Sequence, residues 1–360
     1  MRTDELDYDL PPEAIAQTPA DPRDRARLLV DTGIDTAPVD RCVSDLSTLL
    51  RPGDLLVVND TRVLPARVAV LRSTGGEGEV LLLEEGQDGW WQALCRPSRK
   101  LAVGDRVSAV HGVLGFEIGD ALPDGRRLVR PLIDGEAAGA ALLDALAGSG
   151  VAPLPPYITE TLQDAERYQT VFAERPASAA APTAGLHLTP EVLGDLVEAG
   201  VGFARVELVV GLDTFRPITV DTVEAHEIHS EWYSVPEETW STVQRTHLAG
   251  GRVVAVGTTS VRALESVAAT GELSGRTRLF ITPGFRFEVV DVLMTNFHLP
   301  RSSLLAMIEA FVGPRWRELY RTALDRGYRF LSFGDAMLLE RNVMSSERAE
   351  LPPDANGTGS

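Results

Sequence analysis

Residues 63–133 constrain the fold more than any other stretch. Short β-prone pieces, RVAVLR, EVLLLEE, WWQALCR, DRVSAV, FEI and RRLVRPLI, are separated there by STGGEG, GQDG, VGD and LPDG. Gly, Asp and Pro at such spacing are the chemistry of tight turns between antiparallel strands, which predicts a meander or a small barrel. The texture on either side is different. DLLVVN at 54–59 reads as a buried strand. From Thr189 onward helices and strands alternate: helix 191–199, strand FARVELVV, helix 237–249, strand RVVAVG, helix 261–269, strands LFIT and FEVVDVLM, helices 303–312 and 315–326, and strand YRFLSF. That alternation is α/β with a largely buried sheet, so the β-rich stretch reads as an all-β module set into it. A helix over EAAGAALLDALA (136–147) and a rigid PLPPYITE segment (153–160) lead back. The last twenty residues lose periodicity and read as a frayed tail.

Length and balance narrow the classes. A chain of 360 residues at 44% hydrophobic and 24% charged can bury a full core and carry two domains. The acidic, Pro-broken N-terminus has no apolar signal core, and no run of eighteen apolar residues follows, so a cytoplasmic protein away from membranes is expected. Cys42 and Cys95 lie far apart with no CxxC, fitting neither a disulfide framework nor a zinc site. The net charge of −18 weighs against a nucleic-acid partner. The positive groups nevertheless bunch, at Arg23/Arg25/Arg27, Arg96/Arg99/Lys100, Arg126/Arg127/Arg130 and Arg315/Arg317/Arg321. Each bunch is either a local patch or a set of solvated counter-charges.

Five segments place polar side chains where an α/β sheet keeps its ligands, at strand ends and helix starts. In PTAGLHLTP (182–190), Gly185 permits a close approach, and Thr189 with Pro190 reads as N-cap and first helical residue. His187 then stands near a helix N-terminus, either facing an anion or hydrogen-bonded in a buried turn. RVVAVGTTSVRALES (252–266) is a strand, a glycine turn and a helix. Its hydroxyls Thr258, Thr259 and Ser260 can cap that helix or hold a carboxylate or phosphate, and Arg262 and Glu265 follow one turn on. MTNFHLPRSSL (294–304) puts Asn296 and His298 on one face of a strand end. AHEIHSEW (225–232) carries His226, Glu227, His229 and Glu231. Its histidines are three apart, not the i, i+4 of a zincin, so a proton-moving pair of His229 with Glu231 or Glu227 is the better reading, and a charged surface loop the plainer one. VVNDTRVLPAR (57–67) sets Asn59, Asp60 and Arg62 at the border of the β-rich module, as ligand groups or as a hinge ion pair. Neither a dinucleotide fingerprint nor a P-loop is present, and no Ser/His/Asp signature occurs.

Taken together and in order, PGDLLVVNDTRVLPAR, LPPYI, YQTVFAE, AAPTAGLHLT, HSE, VVAVGTTSVRALES, PGFRF, MTNFHLPRSSL and YRFLSFGDAML closely resemble the S-adenosylmethionine:tRNA ribosyltransferase-isomerase family of queuosine biosynthesis, the QueA family. The resemblance implies a large α/β domain built from both chain ends (1–62 and 151–340) and a small inserted antiparallel β-barrel domain (63–150), followed by the tail that composition reads as disordered (341–360). It implies transfer and isomerisation of the ribosyl part of S-adenosylmethionine onto a 7-aminomethyl-7-deazaguanine wobble base of tRNA. Epoxyqueuosine forms, and adenine and methionine leave. S-adenosylmethionine is then a consumed substrate, the tRNA anticodon stem-loop the partner, and no metal or other cofactor is implied. The site carried over comprises His187, His229 and Glu231 for catalysis, and Asn59, Asp60, Arg62, Thr183, Gly185, Arg216, Thr258, Thr259, Ser260, Arg262, Asn296 and His298 for substrate. Val209, Asp213, Thr282 and Leu188 stand where the family usually has His, Gly, Tyr and Phe. Those departures admit two alternatives: a paralogue using the same donor with another acceptor, and a non-catalytic RNA-binding protein.

Overall fold

The computed structural model describes residues 1–33, 36–122, 125–211 and 217–342. Arg216, Asp213 and nearly all of the predicted tail lie outside them. The chain opens with β1 (Arg27–Asp31), β2 (Val39–Cys42), the single-turn helix α1 (Leu46–Leu49) and β3 (Leu55–Asn59). A short β4 (Arg62–Val63) pairs in parallel with β13 (Pro176–Ser178), so the two passages between sheet and insertion run side by side.

The β-rich stretch folds into β5 (Arg67–Arg72), β6 (Glu77–Glu85), β7 (Trp91–Arg96), β8 (Arg106–Ala109), β9 (Leu114–Ala121) and β10 (Arg127–Ile133). Each pairs antiparallel with two others in the ring β5-β6-β7-β10-β9-β8, closing a six-stranded barrel. Closure removes the exposed edges that an open sheet would present. Inward residues such as Val68, Val80, Ala93, Phe116 and Val129 fill it. β11 (Glu136–Ala137) extends β10, and β12 (Gly150–Val151) extends β5. Helix α2 spans Leu142–Ser149 and begins later than the sequence suggests, because its first residues are taken by β11 and a 3-10 turn. Leu142, Ala145 and Leu146 pack it on the barrel core.

The remainder completes a nine-stranded mixed sheet with α3 (Pro190–Glu198), β14 (Gly202–Leu208), β15 (Glu231–Ser234), α4 (Glu237–Leu248), β16 (Val253–Val256), α5 (Thr258–Thr270), β17 (Ser274–Thr277), β18 (Val292–Asn296), α6 (Ser303–Val312), α7 (Trp316–Asp325) and β19 (Ala336–Glu340). Strand order is β17-β15-β14-β3-β16-β18-β19-β1-β2. The central run β14-β3-β16-β18 is parallel, and its β-branched interior is covered on both faces by two apolar clusters. Thr189 caps α3 by accepting from Val192 N–H, as its sequence predicts.

Three strand readings need correction. LFIT pairs with nothing, and the strand there is the preceding SGRT of β17. FEVVDVLM becomes a strand only from Val292, because the N–H groups of Glu288, Val289 and Val290 are taken by the Glu265 carboxylate instead of a ladder. YRFLSF is a loop: Tyr328 and Phe330 are buried as aromatic filling against Phe297, and the strand comes after Asp335.

Candidate functional site

The carboxyl ends of β3, β14, β16 and β18 point the same way, so the residues that follow them gather at one edge of the sheet, where open α/β sheets bind ligands. Two adjoining cavities open there, with Val210 and Leu304 lining both. The first is narrow, about 50 Å³, and is lined by Thr183, Thr258, Thr259, Asn296 and His298 beside Tyr157. The second is a cleft of about 980 Å³ between sheet and barrel, lined by His229, Glu231 and Arg262 from the sheet side and by Glu84 and Trp91 from the barrel.

In the narrow cavity Asn296 is the organising residue. Its Oδ1 accepts from the Thr183 hydroxyl at 2.9 Å, and its Nδ2 donates to His187 Nε2 at 3.0 Å and to the Asp335 carbonyl at 3.3 Å. Because that amide is a donor, His187 Nε2 is an acceptor and the ring is neutral. Burial, with help from Arg329 and Arg23, lowers the His187 pKa to about 4. His187 thus stands behind Asn296 and lines neither cavity. His298 does line the narrow one. Its Nε2 lies 3.0 Å from the Thr295 hydroxyl, its N–H donates to Tyr320 Oη at 3.0 Å, and burial lowers its pKa to about 3.

Helix α5 starts at this cavity without a side-chain cap: its cap residue is Gly257, at φ 85° and ψ 153°. The three hydroxyls expected to act together are divided. Thr258 and Thr259 face the cavity, while Ser260 is fully buried and donates to the Val256 carbonyl at 2.8 Å. The Thr259 hydroxyl is buried without a partner.

One turn along α5, Arg262 reaches the large cleft. Its Nη1 pairs with Glu231 and its Nε donates to the Leu279 carbonyl at 3.1 Å, but Nη2 has no partner. Glu231 also accepts from Gly211 N–H at 3.1 Å. Burial lowers the Arg262 pKa to about 10, which still leaves it a cation near neutrality. His229 is exposed at the cleft, and His226 beside it packs edge-on against Phe280. At the rim Arg276 of β17 donates to Glu84 of β6, Nη2 to Oε2 at 3.1 Å, so barrel and sheet touch across the cleft.

The remaining sequence candidates lie apart. Asn59 spends its amide on the Leu208 backbone, donating to the carbonyl at 2.9 Å and accepting from the N–H at 3.3 Å. Arg62 pairs with Glu166 and not with Asp60. Asp60 lines neither cavity, and its pKa is raised to about 6, first by burial and then by Glu207 and Glu174. A Cβ on Gly185 would come within 2.9 Å of Phe172, so that glycine serves packing. Sequence reasoning passed over Trp91, Glu84, Arg276 and Phe280: Trp91 and Glu84 join the site because the barrel folds back over the sheet, and Arg276 and Phe280 because the edge strand β17 and the segment after it border the same cleft. Among the described residues no cluster of three or more His, Cys, Asp or Glu is set to hold a metal, and no helix is long and apolar enough to cross a membrane.

Comparison with known proteins gives the same result as the motifs. The family model described as "Queuosine biosynthesis protein" matches residues 3–339. A curated S-adenosylmethionine:tRNA ribosyltransferase-isomerase from Gloeobacter violaceus is 51% identical over 94% of this chain and 95% of that protein. One of the same name from Nostoc sp. is 45% identical over 92% and 90%. The crystal structure of an S-adenosylmethionine tRNA ribosyltransferase from Thermotoga maritima aligns with a TM-score of 0.54 at 37% identity, covering 93% of this chain and 99% of that one. The chain belongs to the queuosine biosynthesis protein family.

Proposed function

We propose that the chain transfers the ribosyl moiety of S-adenosylmethionine to the 7-aminomethyl-7-deazaguanine wobble base of tRNA and isomerises it to epoxyqueuosine. Adenine and methionine are released. The observation that carries this reading is the 51% identity to a ribosyltransferase-isomerase over 94% of the chain; the family model's match, residues 3–339, includes every residue lining the two cavities. That extent favours the tRNA acceptor over a different one and over a non-catalytic RNA-binding role.

The geometry supports a division of labour. A cleft of about 980 Å³ has room for a nucleoside donor and an unstacked base together. The reaction removes a proton beside the sulfonium, and of the candidate bases His229 lies at the cleft with an exposed ring, whereas His187 is neutral and already accepting from Asn296. His298 and Asn296 line the narrow cavity beside it and orient the donor. S-adenosylmethionine is consumed, so no separate cofactor takes part, and the reaction belongs in the cytoplasm with its tRNA.

The test is direct. Purified protein is incubated with S-adenosylmethionine and tRNA bearing the aminomethyl-deazaguanine, and adenine and modified tRNA are measured. Stoichiometric adenine and epoxyqueuosine are expected. Adenine release only with some other acceptor, or donor binding without turnover, would overturn the proposal.

A further inference from the structure

Of the five tryptophans only Trp232 is left exposed by the fold, at 40%. An indole is a large apolar group, so an open one on a well-formed strand needs a reason. Strand alternation fixes where it points. On β15, Glu231 turns to Arg262 of α5 and Trp232 to the opposite face. β17 follows in register: Thr277, paired with Glu231, bonds Ser266 of α5, whereas Arg276, paired with Trp232, reaches Glu84 of the barrel. On the other side Val209, one residue past the Leu208–Tyr233 pair, donates its N–H to the Trp232 carbonyl at 2.9 Å. Val209, Trp232 and Arg276 therefore stand abreast on the face turned to the barrel, and all three line the large cleft.

Among the described residues no ring stacks on the Trp232 indole, no cation lies over it and its N–H has no acceptor. The nearby guanidinium is held elsewhere: Arg276 donates from Nε to the Ser230 hydroxyl at 3.1 Å and from Nη2 to Glu84 Oε2 at 3.1 Å. What remains toward the cleft is a flat apolar surface of one indole and one valine. It lies at the mouth of the cleft, because Trp232, Arg276 and Glu84 all keep open surface, whereas Arg262 and Glu231 on the inner side are buried.

The acceptor is a polymer, and that decides what covers this surface. With the wobble base in the cleft, the nucleotides on either side stay joined to it by single phosphodiesters and have to cross the mouth. The mouth disfavours their phosphates: Glu84 and Glu85 line the barrel wall, and Arg175, Arg262 and Arg276 already answer Glu207, Glu231 and Glu84. A base has no such difficulty, since every base carries a π-face that stacks on an aromatic side chain without regard to charge. We infer that Val209 and Trp232 form a platform on which a nucleobase adjoining the wobble base stacks, which deepens the proposed function and rests on it. The adenine of the donor is the competing ring, but a donor consumed inside the cleft lies on its inner side, away from Trp232.

The experiment is a thermodynamic cycle between protein and RNA. Anticodon stem-loops bearing the aminomethyl-deazaguanine are made intact, or with an abasic site at the 5′ or the 3′ neighbour of the wobble base, and their binding is read by fluorescence anisotropy. The full-length wild type is compared with Trp232→Ala, Trp232→Leu and Trp232→Phe, and thermal melts check each fold. Leucine keeps apolar bulk without a ring, and phenylalanine keeps a ring. A base–aromatic stack predicts that the alanine and leucine variants bind the intact RNA about five- to a hundredfold more weakly, and the phenylalanine variant within about threefold of wild type. Loss of one of the two neighbouring bases weakens the wild type by a similar factor and the alanine or leucine variant no further. Donor binding by calorimetry is unchanged throughout.

Losses that multiply, so that each abasic site weakens the variants as much as the wild type, overturn the inference and leave the proposed function standing. So does a leucine variant that binds like wild type, since bulk and not a ring would then matter. A loss confined to the donor also overturns it, and assigns the indole to adenine. If the wild type binds the RNA but releases no adenine with it, the proposed function fails while the cycle still decides the platform. No binding of the intact RNA overturns both.

Discussion

Asp60, at the end of β3, is a residue whose sequence context and structural position point in different directions. Beside Asn59 and Arg62 it looks like a ligand group. In the fold its N–H donates to the Val206 carbonyl and its carbonyl accepts from Glu174 N–H, while its carboxylate is half-buried near Glu207 and Glu174. Burial first, then those two like charges, raise its pKa to about 6, against an offset from Arg205. The folded state therefore holds a proton that the unfolded state, titrating near 4, has lost. Stability from this group falls as pH rises between about 4 and 6, and above 6 the folded protein carries the full penalty. Asp60→Asn removes it. Discounted for partial solvent screening, the variant is expected to gain about 1 kcal/mol at pH 7 to 8, with the gain shrinking to nothing near pH 4 and turnover unchanged. Thermal melts across that range check it, and parallel curves for both proteins would refute it. Asn59, Asp60, Arg62, Asn296 and His298 look alike in the sequence as polar groups at strand ends. What separates them is whether the side chain lines a cavity, as Asn296 and His298 do and Asn59, Asp60 and Arg62 do not, and only the folded backbone shows that.

At the scale of elements, what could be read was whatever local chemistry decides. Turn residues set the β-rich stretch apart, and Thr189-Pro190 marked the start of α3, because caps and turns are satisfied within a few residues. YRFLSF misleads because its aromatics are buried as a loop, and burial alone has no period. The start of α5 is legible as a helix start but not in its phase. Thr258 and Thr259 face the cavity and Ser260 faces the core, a difference of one residue that Gly257 fixes. At φ 85° and ψ 153° Gly257 occupies a region essentially closed to other residues, although a Cβ there would find its nearest neighbours, Ala184 Cβ and Thr259 Oγ1, at 3.6 Å. Strain rather than crowding is therefore what a side chain would meet. Gly257→Ala is expected to cost about 1–3 kcal/mol in a denaturant titration. It should also raise KM for the donor as the first turn of α5 shifts. An alanine variant as stable and as active as the wild type would show that the turn relaxes freely.

For the whole molecule, the puzzle is an acidic chain that engages tRNA. The net charge is −18, and the arginines that line the cleft are mostly committed: Arg175 to Glu207, Arg262 to Glu231 and Arg276 to Glu84. Within the arginine bunches seen in the sequence, Arg27 is paired to Asp40, Arg315 to Asp31 and Arg317 to Glu309. A surface of this kind neutralises few phosphates, so recognition rests on the base held in the cleft and on the shape of the barrel–sheet groove. The consequence is quantitative. Each neutralised phosphate contributes a slope of roughly −0.7 to −0.9 to the logarithmic salt dependence, and proteins with six to ten such contacts lose about 10³–10⁵ in affinity between 50 and 200 mM salt. With about two contacts, KM for tRNA should rise only about tenfold over that range, while KM for the donor, bound by internal groups, hardly moves. Steady-state adenine release at fixed pH, with each substrate varied in turn, measures both. A thousandfold rise for tRNA would mean that a cationic surface outside the cleft dominates binding. A rise matched by the donor would mean that salt acts on the fold instead, through the ion pairs, such as Arg276 with Glu84, that join barrel to sheet.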